Sequence, residues 1–156
     1  AYFCFVQAHL SYGLLLWGHS SARHRAFSLQ RRAVRILGGL PYRADCRNCF
    51  ISLRILTLPS LYIYLSLIYV KSNRSKYLTH NDIHNYETRN KLHLYPKKLR
   101  LQKSSNGIEY LGPKFFNILP THVQNSTDVH FSKIVKEYLL GKAYYCFDDF
   151  IKEKFM

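Results

Sequence analysis

The chain has 156 residues, 47% of them apolar, enough for one domain with a real core and too apolar for disorder throughout. Charge is the outlier: 23 Lys and Arg against 9 Asp and Glu give a net charge of +14, an excess that points to a polyanionic partner rather than to the needs of folding. The nine acids are scattered apart from Asp148-Asp149, which argues against acid–base or metal-dependent chemistry carried by this chain alone.

Residues 1–17 read as an aromatic-rich helix, with Phe5, Leu10, Leu14 and Trp17 near helical spacing. It is expected to be the most buried element, with Gly13 allowing a neighbour close. The opening Ala1-Tyr-Phe-Cys-Phe-Val has no basic n-region, so a signal peptide fits poorly and the chain reads as a piece of a longer intracellular protein, cytoplasmic or nuclear. The apolar runs 10–17 and 58–70 are shorter than the ~18 residues that span a bilayer and read as core helices. No membrane or small-molecule partner is expected.

A second helix follows a short turn at 19–21, with Ser20 or Ser21 as its cap, and carries the basic stretch 28–37. On a wheel, Ala26, Leu29, Ala33, Ile36 and Leu37 form an apolar flank continued by Phe27 and Val34, and Arg25, Ser28, Arg31, Arg32 and Arg35 fill the opposite arc. Gly38-Gly39 followed by Pro41 is a strong stop. The arginine arc admits two readings, a solvated face or a row of forks suited to phosphate oxygens.

Asp45 is placed to cap a third helix running to Leu56. Pro59 suits the first turn of a fourth, from Ser60 to about Lys71, which is apolar almost all round and therefore central. A boundary near residue 75 divides the chain into a helical bundle (1–75) and a second part (76–156). In the second part, 92–95 and 99–101 alternate apolar and polar residues, and Ser104-Ser-Asn-Gly107 before Ile108-Glu-Tyr-Leu111 reads as a small β-hairpin. Its basic cluster includes Lys97, Lys98 and Arg100, which either follow a nucleic-acid backbone or protect a strand edge. C-terminal helices follow at 113–119, at 130–140 with Gly141 as a break, and at 147–155. The fold class is mainly α.

Charge is graded along the chain: residues 1–60 hold 8 basic and 1 acidic residue, 61–111 hold 9 and 3, and 112–156 hold 6 and 5. A polyanion is therefore expected to contact the first two thirds. Cys46-Arg-Asn-Cys49 has half the ligands of a zinc site and no second pair at finger spacing, so no metal or other cofactor is expected and the cysteines read as reduced thiols. Asp148-Asp149 abuts Phe147 without the spacer of a polymerase aspartate hairpin and reads as a helix start.

The ordered words His9-Leu-Ser-Tyr-Gly-Leu-Leu-Leu-Trp-Gly18, Leu29-Gln-Arg-Arg-Ala-Val-Arg-Ile36, Ile55-Leu-Thr-Leu-Pro-Ser-Leu-Tyr62, His84-Asn-Tyr-Glu-Thr-Arg-Asn90 and Lys114-Phe-Phe-Asn-Ile-Leu-Pro120, with residues 131–145, span nearly the whole chain. Their order resembles the C-terminal part of reverse transcriptases of non-long-terminal-repeat retrotransposons, the jockey-like type of arthropods. The resemblance implies a helical thumb that grips the primer–template duplex by its backbone, followed by a connector. Palm aspartates and endonuclease are absent from the matching region, so the chain would be part of an RNA-directed DNA polymerase and not itself an enzyme. Arg31, Arg32 and Arg35 match the family's basic helix. Tyr86, Thr88, Arg89 and Asn90 match its Tyr-x-Thr-Arg word, whose role is open between phosphate binding and a structural brace. An RNA/DNA hybrid or duplex backbone is the implied partner, with the palm as neighbour in the parent protein. The alternative is a helical protein-interaction module, or a relic without a nucleic-acid role.

Overall fold

The computed structural model describes residues 2–84, 89–97, 107–153 and 155. A π-helical turn over Phe3–Gln7 runs into α1 (Ala8–Ser11), followed by α2 (Leu14–Trp17), α3 (Ala22–Leu37), α4 (Arg47–Ser52) and α5 (Leu58–Ser72). After a 3-10 turn at Arg74–Lys76 come α6 (His80–Ile83), α7 (Ile108–Ile118), α8 (Thr121–Gln124), α9 (Asp128–Lys142) and α10 (Phe147–Lys152). Among the described residues there is no strand, and the one β-type pairing is an isolated antiparallel bridge between Thr79 and Leu94.

Helix α5 is the axis of the fold, as its all-round apolar pattern predicts. Leu58, Leu61, Tyr62, Ile63, Leu67 and Val70 are all buried, and α2, α3, α7, α9 and α10 pack around it. Its start is chemically fixed. The buried Thr57 hydroxyl accepts from the Ser60 N–H at 3.2 Å and donates to the Tyr144 carbonyl, and Pro59 sits in the first turn. Against α5 lies α7, close enough that a Cβ on Gly112 would stand 2.7 Å from Val70 Cγ2, so only glycine permits this approach. One hydrophobic cluster draws residues from both sides of position 75, from Leu14 and Val34 to Phe131 and Phe150.

Several expectations are corrected. Residues 108–111, read as the second arm of a hairpin, are the first turn of α7, with the Tyr110 and Leu111 N–H groups donating to Gly107 O at 3.1 and 2.9 Å. Ile108, Leu111 and Phe115 recur at helical spacing, and that period prevails over the turn signal of Ser104-Ser-Asn-Gly107 before them. The hairpin's tip at 104–106 and the alternating stretch 99–101 lie outside the described residues. The N-terminal segment is not the most buried element: Phe5, Tyr12 and Leu16 are 71%, 86% and 80% exposed. Gly13 serves there through its left-handed backbone (φ 59°), which breaks the helix between α1 and α2, and not through close approach. Helix α4 ends at Ser52, short of Leu56, because the chain turns through left-handed Arg54 (φ 52°). Gly141 lies inside α9, and the left-handed residue that ends this helix is Ala143 (φ 46°).

The second part is tied to the core by side-chain amides acting on backbone. Asn117 of α7 accepts from Leu94 N–H at 2.9 Å and donates to Leu94 O at 2.8 Å, holding the fully buried Leu94 as a neighbouring strand would. Gln124 donates to the Phe116 and Leu119 carbonyls, capping the end of α7.

Burial holds the Tyr62 hydroxyl in its neutral form and pushes its pKa from 10.0 up to about 12; Tyr2, Tyr77, Tyr144 and Tyr145 are raised for the same leading reason. An unfolded chain releases these protons first. Stability from this source is complete below pH 10 and is lost as pH rises towards 12. Melting temperature is therefore expected to hold up to about pH 10 and fall beyond it, together with delayed tyrosinate absorbance. Simultaneous, unshifted ionisation of all tyrosines in the folded state would contradict this.

Candidate nucleic-acid interface

Helix α3 is amphipathic, but its buried face is only part of the one expected. The buried line is Phe27, Gln30 and Val34, at i, i+3 and i+7, whereas Leu29, Ile36 and Leu37 are 63%, 73% and 50% exposed. The helix is turned so that Phe27 and Val34, which continue the expected apolar flank, lie in the buried line while Leu29, Ile36 and Leu37 face outward. The cause is Gln30. Its fully buried side chain donates to Leu56 O at 2.9 Å and to the Tyr2 hydroxyl at 2.8 Å, and accepts from Leu58 N–H at 2.7 Å. These bonds satisfy backbone groups at the entry to α5, and the polar residue that a hydrophobicity pattern places outside becomes the centre of the buried face.

This rotation divides the arginines. Arg25 and Arg32, seven residues apart on one exposed face, carry no hydrogen bond or ion pair among the described residues. Arg31 and Arg35 fall at the margin and are partly buried. Arg31 lies 5.0 Å from the ring centre of Phe27 and 5.9 Å from that of Tyr145, and its Nη2 donates to Ser28 Oγ at 3.2 Å. Arg35 Nε donates to Ala44 O at 2.7 Å.

The end of α3 then folds the chain back over this face. Gly39 is left-handed (φ 63°); its N–H reaches Ile36 O at 3.3 Å and the Leu40 N–H reaches Arg35 O at 2.9 Å, the paired bonds of a Schellman stop. Pro41 opens a turn closed by Ala44 N–H on Pro41 O at 3.1 Å, and Asp45 Oδ1 accepts from Arg47 N–H at 3.2 Å to start α4. The Ser21 hydroxyl, expected as a cap at the other end of α3, makes no capping bond.

Between α3 and the turn opens a cleft of about 390 Å³ lined by Ser28, Leu29, Arg31, Arg32, Arg35, Tyr42 and Arg43. Four of the seven are arginines and none is acidic. Tyr42 and Arg43 project from the turn, both exposed, with the Arg32 guanidinium 5.9 Å from the Tyr42 ring centre. Sequence reading passed over these two residues. The available signal was the Gly-Gly-x-Pro stop, which reverses the chain so that the next residues lie beside the helix just completed.

The remaining predicted residues do not join the cleft. Lys97 is exposed in the segment beyond Leu94, and Lys98 and Arg100 lie outside the described residues. So do Tyr86 and Thr88 of the Tyr-x-Thr-Arg word. Arg89 and Asn90 are exposed in a turn, where Asn90 O accepts from His93 N–H at 2.9 Å, and no acid among the described residues pairs with Arg89.

Asp148 and Asp149 occupy the first turn of α10, where the helix dipole favours them. Among the described residues, no three His, Cys, Asp or Glu side chains gather to hold a metal, all four cysteines are free, and no helix is long and apolar enough to cross a membrane. No family model, curated protein or solved structure matches the chain.

Proposed function

We propose that this chain is the thumb-and-connector part of a reverse transcriptase of the non-long-terminal-repeat retrotransposon type, without catalytic residues of its own, and that the arginine-lined side of α3 holds a nucleic-acid backbone. The observation that carries the reading is the cleft, whose wall contains Arg31, Arg32, Arg35 and Arg43 and no carboxylate, on a chain of net charge +14. The resembling words are also coupled through space: Gln30 of one bonds to Leu56 and Leu58 of another. Arg25, Arg32 and Arg43 are the backbone ligands, because they carry no hydrogen bond or ion pair among the described residues. Three such contacts predict a slope of about −2.7 in log binding constant against log salt on an RNA/DNA hybrid, at ~0.9 per phosphate. A slope near zero would overturn the reading.

A separate observation favours a second reading, a helical interaction module. An apolar recess of about 240 Å³ lies beside the N-terminal segment, lined by Tyr2, Phe5, Val6, Ala33, Ile36 and Leu37. In a complete polymerase such a surface would meet the palm. This reading predicts no salt-dependent binding to nucleic acid.

A further inference from the structure

We infer that the α3 cleft takes a single-stranded segment, with an unpaired base stacked on Tyr42 and its flanking phosphates on Arg32 and Arg43. The inference deepens the backbone-binding reading and rests on it. A surface that met only phosphates would need cations alone, yet this cleft sets two apolar groups among its arginines. Tyr42 is 71% exposed and Leu29 63% exposed, and both line the same 390 Å³ space. Neither residue is recruited to the core, and both lie where a hydrated guanidinium row would otherwise be continuous.

Geometry favours a nucleotide over a duplex. The cleft falls within the ~300–1,000 Å³ range of sites that enclose a small molecule, whereas a double helix presents only its outer phosphates to such a recess. Tyr42 is held in place by its neighbours rather than by its own contacts. Gly39 reverses the chain and the Arg35 bond to Ala44 O pins the turn, so the ring stands out from a fixed backbone. Arg32 supplies a cation against the ring, and Arg43, next in sequence to Tyr42, carries its charge into the same cleft. An aromatic platform between cations is the arrangement by which single strands are bound without regard to sequence, because every base has a π-face.

The test uses the whole 156-residue chain and three probes: a blunt RNA/DNA hybrid, the same hybrid with a single-stranded overhang, and that overhang made abasic with its phosphates kept. The expected result is tighter binding to the normal overhang than to the abasic one. Tyr42→Ala is expected to remove that preference with a ~5- to 100-fold loss, and Tyr42→Phe to retain it. The comparison is between normal and abasic overhangs within each variant, and unchanged melting shows that the fold is intact. Equal binding of normal and abasic overhangs, or a preference that survives Tyr42→Ala, overturns the stacking inference and leaves backbone binding standing. Absence of salt-dependent binding to all three probes overturns the backbone reading as well.

Discussion

Replacing Gln30 with Leu is expected to destabilise the fold by about 3–5 kcal/mol, because the three groups it satisfies are left buried and unpaired at ~1–3 kcal/mol each, less what an apolar side chain recovers. Among the described residues Leu58 N–H and Leu56 O have no other hydrogen-bond partner, and the Tyr2 hydroxyl loses its anchor. The two backbone partners also fix the amide's orientation: one needs an acceptor and the other a donor. Gln30→Glu is expected to lie between wild type and Leu at low pH, where the protonated carboxyl keeps the bond from Leu58 N–H and donates to Leu56 O, and to lose stability as pH rises, because the ionised form at this buried site is desolvated and repels Leu56 O. Urea denaturation of the three proteins checks the order; a Leu variant as stable as wild type would show that the network is not needed.

The second large effect is expected at Phe115. Its ring is fully buried in α7 and meets Tyr62 of α5 and Phe147 and Phe150 of α10 edge-on, with ring centres 6.5, 5.7 and 5.7 Å away. Phe115→Ala removes the piece that joins these helices and is expected to cost about 3–5 kcal/mol through lost burial and the cavity left behind. Phe115→Leu, which refills most of that space, is expected to cost under about 2 kcal/mol. Equal losses in the two variants would mean that the rings do not share one core. Both variants leave the α3 cleft untouched, so any nucleic-acid affinity should persist in the folded fraction.

Local chemistry made much of this fold legible. Gly38-Gly39-Leu-Pro41 ends α3 because a left-handed residue followed by proline leaves the chain no helical continuation, and the almost all-round apolar pattern that follows Pro59 identifies the central helix. What escaped the sequence depends on partners distant along the chain. Gln30 is buried by backbone groups 26 and 28 residues away, and no window on α3 contains them. Arg31 and Arg35 look identical to Arg25 and Arg32 on a wheel, and they separate only once Tyr145 and Ala44 are placed beside them. Four residues at 108–111 satisfy a strand and a helix equally well; the choice falls to Phe115 and Gly112 packing on α5. Tyr42 and Arg43 join the site solely because the helix stop folds them back over it.

The proposal that rests on these divisions is that Arg25, Arg32 and Arg43, which carry no hydrogen bond or ion pair among the described residues, bind phosphate, whereas Arg31 and Arg35 are held by Phe27, Tyr145 and Ala44. The most direct measurement is the salt dependence of RNA/DNA hybrid binding by the chain carrying Arg25→Ala, Arg32→Ala and Arg43→Ala together, compared with wild type under conditions where both melt alike. The expected result is a slope that flattens from about −2.7 towards zero. A triple variant that melts like wild type and keeps the full slope would contradict the claim.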